Sequence, residues 1–246
     1  MDILKSALVW TIAILFLVIL FPLTFIIWLL LLPFDMNRVV THRILVYQGI
    51  ALSGILPIWT IKTEGKEKIV KGSTYVIVSN HQSILDVLLL CNLRYTYKWV
   101  SKIENVKVPV LGWYLKMADY ITVDRGNEES KVEMLEKSLN CLKRGTSIMI
   151  FPEGTRSFNN EIGLYKRGAF HLAIEAGVPL LPVVLDGSGD VLPKHGLKLG
   201  SHYDITIRVL DPVMPQDFSS QNPDILAEDI RKLMKEELKR IRHSKS

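Results

Sequence analysis

The stretch Ser73-Thr74-Tyr75-Val76-Ile77-Val78-Ser79-Asn80-His81-Gln82-Ser83-Ile84-Leu85-Asp86 decides the architecture of this chain. Its first seven residues are rich in β-branched and aromatic side chains and read as a strand. A polar run then breaks the strand, and a helix is expected from about Ser83 to Cys91. The same alternation repeats downstream. Further strands are expected over 97–101, 120–123, 147–151, 180–185 and 204–210, and helices over 110–118, 129–143, 167–176 and 224–243. In the helix at 129–143, Val132, Leu135, Leu139 and Leu142 recur at helical spacing, and Gly145 stands at its end. Strands alternating with helices predict an α/β fold, a mostly parallel sheet with flanking helices.

Upstream the pattern changes. Ser6 to Phe34 carry no charge, and a second, mostly apolar stretch runs from Val39 to Thr60 with Arg43 as its only formal charge. A membrane-crossing helix needs ~20 apolar residues, which the first stretch exceeds. It is too long for a secretory signal and no small-x-small cleavage site follows it. Pro22 favours a kink or break in that helix, and Pro33 closes it. Two arrangements follow: one tilted span, or a helical hairpin entering a single leaflet with both ends on the same side. The hairpin is preferred, because it houses the second apolar stretch. Lys5 on one flank, against Arg38, Arg43 and Asp35 on the other, weakly places the C-terminal flank in the cytoplasm. The chain is thus expected to divide into an N-terminal membrane-associated helical segment over 1–62 and an α/β domain over 63–246.

Composition narrows the function. The 246 residues are 48% hydrophobic and 22% charged, which excludes disorder. Thirty basic against 25 acidic residues give a net charge of +5, suited to anionic partners. Beside an apolar N-terminus, a membrane and lipid phosphates fit better than nucleic acid, for which no arginine-rich tract, zinc finger or RNA-binding signature is present. Cys91 and Cys141 make neither a disulfide framework nor a zinc site, and read as reduced core residues. His42, His81, His171, His195, His202 and His243 show no metal-ligand spacing, so neither metal nor cofactor is expected. No nucleophile elbow, phosphate-binding loop or dinucleotide fingerprint occurs.

Chemistry concentrates where strands end, the usual place for ligands in α/β folds. After the first strand come His81 and Asp86. Residues five apart on one helix are rotated by roughly 140°, so the pair requires His81 in the loop and Asp86 in the first turn. By spacing alone the plainer reading is a capping box of Ser83 and Asp86, with His81 an ordinary loop residue. After the strand at 147–151 comes Phe151-Pro152-Glu153-Gly154-Thr155-Arg156-Ser157, where an acid, a glycine, a hydroxyl and an arginine meet; a surface turn with a local Glu–Arg pair is the plain alternative. Asp124-Arg125 follows a third strand, and Gly187-Ser188-Gly189 reads as a turn after a fourth. Polar clusters after parallel strands should converge on one sheet edge.

These blocks resemble the 1-acyl-sn-glycerol-3-phosphate acyltransferases, glycerolipid acyltransferases with an H-x4-D motif. Asn80-His81 through Asp86 matches the first block, and Phe151 through Ser157 matches the third in full. Tyr120-Ile121-Thr122-Val123-Asp124-Arg125 matches the second imperfectly: the family usually has glycine where Asp119 stands and a bulky apolar residue where Thr122 stands. Val178-Pro179-Leu180-Leu181-Pro182-Val183 matches the fourth, and Trp99-Val100-Ser101-Lys102 and Lys166-Arg167-Gly168-Ala169-Phe170 also look like family segments. The resemblance implies an acyltransferase domain that moves a fatty acyl group from an acyl-CoA or acyl carrier protein thioester to the sn-2 hydroxyl of lysophosphatidic acid, giving phosphatidic acid at the cytoplasmic face of the cell membrane. It implies His81 as general base and Asp86 as its orienting partner. Arg125 and Arg156, with Lys102, are implied as phosphate ligands, and Glu153, Gly154 and Thr155 as shaping the acceptor site. Another lysophospholipid or glycerol 3-phosphate as acceptor, or a non-catalytic lipid-phosphate-binding protein, are the competing readings.

Overall fold

The computed structural model describes residues 3–56, 58–200 and 203–245; His202 lies outside them. The chain begins with helices α1 (Ile3–Leu31) and α2 (Val39–Ile55), then strand β1 (Trp59–Glu64), β2 (Val76–Ser79), α3 (Asp86–Leu89), β3 (Tyr97–Lys102), α4 (Leu111–Met117) and β4 (Ile121–Val123). It continues through α5 (Glu128–Lys143), β5 (Ser147–Ile150), α6 (Gly168–Ala176), β6 (Leu180–Asp186), α7 (Ser188–Val191), β7 (Tyr203–Val209) and α8 (Pro223–His243). The strands form one sheet in the order β1-β7-β6-β2-β5-β3-β4. Every pairing is parallel except β6 with β7. Between β6 and β7 the described residues build only the four-residue α7 and no crossover helix, and β7 returns antiparallel.

The α/β expectation holds, with two local differences. The helix expected from about Ser83 to Cys91 is a single α-turn followed by a 3-10 turn over Leu90–Leu93. The Ser83 hydroxyl does not cap it but donates to the Leu192 carbonyl oxygen at 2.8 Å. Strand β1 was not expected. Its residues lie at the end of the second apolar stretch and straddle the boundary expected at 62/63, and its partner β7 lies about 140 positions away, with Trp59 opposite Tyr203.

Each sheet face buries a separate apolar core, because side chains alternate along a strand. Val76 and Val78 face α5, α6 and α8, whose inward stripe includes Leu142, Phe170, Ile230 and Met234. Ile77 faces the opposite way, into a core shared with Val9 of α1, Leu52 of α2 and Leu89 of α3. The apolar N-terminal helices therefore cover one face of the sheet. Cys91 is buried and Cys141 half-buried, both as free thiols.

α1 runs unbroken through Pro22. Between α1 and α2 the Asp35 carboxylate accepts from the Val40 and Thr41 amides at 3.1 and 2.8 Å, satisfying orphan donors at the start of α2. Gln48 of α2 donates to the Thr24 hydroxyl of α1 at 2.6 Å, so the pair forms a helical hairpin. Three polar contacts fix the hairpin to the sheet domain. Trp10 Nε1 donates to the Leu197 carbonyl oxygen (2.8 Å), the Leu199 amide to Ser6 Oγ (3.1 Å), and the Tyr114 hydroxyl to the Leu17 carbonyl oxygen (3.2 Å). A fourth involves His42 of α2, buried beside the N-terminal ends of β3 and β4. Its Nε2 lies 3.0 Å from the Tyr95 carbonyl oxygen and its Nδ1 2.7 Å from the Tyr120 hydroxyl. The Tyr97 amide also donates to Nε2 at 3.3 Å, and burial pushes the His42 pKa down to about 4, so the ring is neutral near pH 7.

Candidate active site

β2, β5, β3 and β4 are parallel neighbours in that order, so their carboxyl ends share one edge of the sheet. The loops leaving these strands carry, in the same order, His81, the Glu153-to-Arg156 turn, Lys102 and Arg125. All the sequence-derived site residues except Asp86, the first residue of α3, therefore lie on or just beyond this edge.

His81 leaves β2 immediately after Asn80. The Asn80 amide donates to the Leu185 carbonyl oxygen and accepts from the Leu185 amide, both at 2.8 Å, pinning the loop to β6. His81 Nδ1 lies 2.7 Å from Asp86 Oδ2. An ionised carboxylate only accepts, so Nδ1 carries the proton and Nε2 presents its lone pair. The same Oδ2 accepts from the Gln82 and Ser83 amides at 2.7 and 2.9 Å, and Oδ1 accepts from the Ser188 hydroxyl at 2.5 Å. Both readings of the five-residue spacing thus contain part of the answer: Asp86 reaches back to Ser83 as a capping carboxylate would, and it also holds the imidazole. Asp86 is fully buried, whereas the His81 side chain keeps 15% of its surface exposed.

Two residues without an assigned role shape this half of the site. Phe151 stacks on the His81 ring at 3.9 Å between centroids with an interplanar angle of 10°, and Trp99 stacks behind Phe151 at 5.4 Å. Phe151 was visible only as the first letter of a motif; nothing local announced that its ring would meet a histidine from another strand.

Glu153 points inward. Its Oε1 accepts from the His81 amide at 2.9 Å and its Oε2 from the Gly163 amide at 3.0 Å, and burial raises its pKa above the usual carboxylate range. It is a clamp between loops, fixing the backbone that carries the histidine. A second clamp is the Ser157 amide, which donates to the His81 carbonyl oxygen at 2.7 Å. Gly154 adopts φ +67, and a Cβ there would lie 3.0 Å from Lys166 Nζ. The ammonium of Lys166, in a segment the sequence reading noted without a role, therefore sits against the turn. Thr155 is exposed and Arg156 half-buried, and Arg156 makes no hydrogen bond or ion pair with the described residues. Lys102 pairs with Glu104 at 2.8 Å, a half-exposed contact of the kind worth ~0–1 kcal/mol. Arg125 is exposed two residues beyond β4.

Known proteins resemble most of this chain. A family described as Acyltransferase matches residues 60–186. A chloroplastic 1-acyl-sn-glycerol-3-phosphate acyltransferase of Brassica napus is 32% identical over 206 residues, covering 83% of this chain and 58% of that protein. The chain thus spans little more than half the length of that relative. A probable 1-acyl-sn-glycerol-3-phosphate acyltransferase of Mycoplasma genitalium is 33% identical over 180 residues, covering 68% of this chain and 67% of that protein. The crystal structure of the 1-acyl-sn-glycerophosphate acyltransferase PlsC from Thermotoga maritima shares the fold, with a TM-score of 0.84 over 98% of this chain and 96% of that one, at 24% identity. An H-x4-D pair closed by a hydrogen bond, a glutamate-glycine-threonine-arginine turn beside it and relatives identical at about a third of positions lead to one conclusion: the chain belongs to the acyltransferase family.

Proposed function

We propose that this protein transfers a fatty acyl group from an acyl-CoA or acyl carrier protein thioester to the sn-2 hydroxyl of lysophosphatidic acid, forming phosphatidic acid. The observation that carries this reading is the 2.7 Å bond between His81 Nδ1 and the buried Asp86 carboxylate, which leaves Nε2 as the one basic ring nitrogen. His81 Nε2 takes the proton of the sn-2 hydroxyl while that oxygen attacks the thioester carbonyl carbon. The tetrahedral species collapses with cleavage of the C–S bond, and the imidazolium returns its proton to the departing thiolate. Asp86 stabilises the imidazolium between these steps. No acyl-enzyme forms.

The acceptor's phosphate lies a few bonds from the reacting hydroxyl. Strand spacing of ~4.8 Å puts the β5, β3 and β4 loops about 5, 10 and 14 Å along the edge from the β2 loop that carries His81. This ranks the cations: Arg156 as the main phosphate ligand, Lys102 next, Arg125 outermost. Arg156 has no partner among the described residues, whereas Lys102 pairs with Glu104, so its planar guanidinium is available for a bidentate bond to phosphate.

The acceptor is drawn from the cytoplasmic leaflet of the cell membrane, held by the segment 1–62 ahead of the acyltransferase domain. α1 is long and apolar enough to cross a bilayer. Its first half, however, is fixed to the domain at Ser6, Trp10 and Leu17, which supports insertion as a hairpin into one leaflet. From Phe21 to the end of α1 the rise is about 15 Å, half of a ~30 Å hydrocarbon core. The test is thioester consumption by the purified full chain with both donors and a panel of lysolipid acceptors. The reading requires turnover that depends on lysophosphatidic acid; faster turnover with glycerol 3-phosphate or with a phosphate-free lysolipid would overturn it.

A further inference from the structure

The turn Gly187-Ser188-Gly189 enters the sequence as punctuation after a strand, yet it ends against the buried side of the catalytic pair. Ser188 is fully buried, and its Oγ donates to Asp86 Oδ1 at 2.5 Å, with Gln82 Oε1 the more distant neighbour at 3.3 Å. We propose that Ser188 is a positioning residue of the acyl-transfer site, the third member of a Ser188–Asp86–His81 series in which its hydroxyl fixes the plane of the Asp86 carboxylate so that Oδ2 faces the imidazole.

The argument is geometric. Oδ2 already accepts from His81 Nδ1 and from two backbone amides, of Gln82 and Ser83. These three donors hold one oxygen but leave the carboxylate able to rock about its Cβ–Cγ bond. Only a donor on Oδ1 stops that motion, and among the described residues Ser188 is the one that reaches it. The site is also dry: Asp86, Ser188 and Ser83 are fully buried and Gln82 nearly so. An Oδ1 deprived of Ser188 would have no solvent replacement, so the carboxylate would turn toward other donors and draw away from the histidine.

The backbone is arranged to deliver this hydroxyl. Gly187 ends β6 with φ +99, and a Cβ there would meet the Asp204 carbonyl oxygen at 2.6 Å. A Cβ on Gly189 would meet Asn160 Oδ1 at 1.8 Å. Gly187 therefore has no room for a side chain against the β7 backbone, and a side chain at 189 would have to displace the Asn160 amide. Asn160 also donates to Asp190 of α7 at 2.7 Å and accepts at its carbonyl oxygen from Gln82 Nε2 at 3.1 Å and from Arg242 at 2.7 Å. The turn is thus braced from α8 as well as from β7.

This inference rests on the proposed general-base reading, so the experiment separates the two. In full-chain enzyme, kcat per folded molecule and both KM values are measured for Ser188→Ala, for Asp86→Asn and for the double variant, beside His81→Ala. The expectation for Ser188→Ala is a fall in kcat of at least fivefold with both KM values within twofold. Because Ser188 acts through Asp86, the same change made in Asp86→Asn should cost less than twofold more. A fall smaller than fivefold, or an undiminished loss in the Asp86→Asn background, overturns the role of Ser188 while an inactive His81→Ala leaves the base reading standing. Near-wild-type turnover in His81→Ala overturns the base reading itself. Ser188→Cys, close in volume and a weak donor, is held to the same two criteria if the alanine variant does not accumulate.

Discussion

Two histidines occupy opposite edges of the same sheet, and their surroundings could hardly differ more. His42, at the amino ends of β3 and β4, has both ring nitrogens committed, one to a carbonyl and one to a phenol, and packs edge-on against Tyr97 at 4.8 Å. His81, at the carboxyl end of β2, commits one nitrogen to a carboxylate and keeps the other. The first arrangement favours the neutral ring, because protonation would bury a charge that Lys98 and Arg43 also repel. The second is built to alternate, because Asp86 awaits the charge. A histidine's task is therefore read from its partners: a carbonyl and a hydroxyl make a bolt, a carboxylate and an open nitrogen make a base.

Mutation at the two edges should separate the two tasks. The largest effect belongs to His81→Ala, which is expected to lower kcat by about 10²–10⁴-fold, the usual worth of general-base help, with the melting temperature nearly unchanged. His42→Ala should do the reverse, costing ~2–4 kcal/mol of stability through a buried cavity and unpaired polar groups while kcat per folded molecule holds. Comparable turnover losses in the two variants would erase the distinction. A smaller effect is expected along the cationic edge. Arg156→Ala should raise the acceptor KM by about 10–100-fold, the worth of a charge-assisted pair, with Lys102→Ala and then Arg125→Ala following in decreasing order. An acceptor without phosphate should respond to none of them. The gentlest test is pH. A histidine whose folded pKa is depressed adds stability above its unfolded value near 6.5, and loses it as pH falls toward about 4. Wild-type melting temperature should therefore drop across that window more steeply than that of His42→Gln; parallel curves would mean that His42 does not stay neutral.

Much of this is legible in the amino-acid sequence. The α/β alternation, the strands at Val76, Tyr97, Ser147 and Leu180, and the convergence of three polar loops on one edge follow from periodicity and from the habits of parallel sheets. What escaped has a common cause, distance in sequence. β1 pairs with a strand about 140 residues on, and its alternating Trp59-Thr60-Ile61-Lys62 begins before the apolar stretch ahead of it has ended. Ser188 meets Asp86 across 102 positions and Phe151 meets His81 across 70, and neither contact leaves a local trace. Glu153 is the instructive case, because the motif gave it only as a residue shaping the acceptor site or as half of a local pair with Arg156. Its two acceptor bonds to backbone amides turn it into an internal strut, which composition alone cannot distinguish.

The docking of α1 on the sheet has a consequence for the whole molecule. Val9, Leu52 and Ile77 belong to one continuous core, so the hairpin proposed to enter the lipid also roofs one side of the sheet. In most anchored enzymes the tether can be cut and the catalyst set free. Here a cut at Pro33 would take away a wall, and the sheet behind it would stand open on its apolar face. On the proposed function, attachment and activity would then be one property of this chain, with no free catalyst to release.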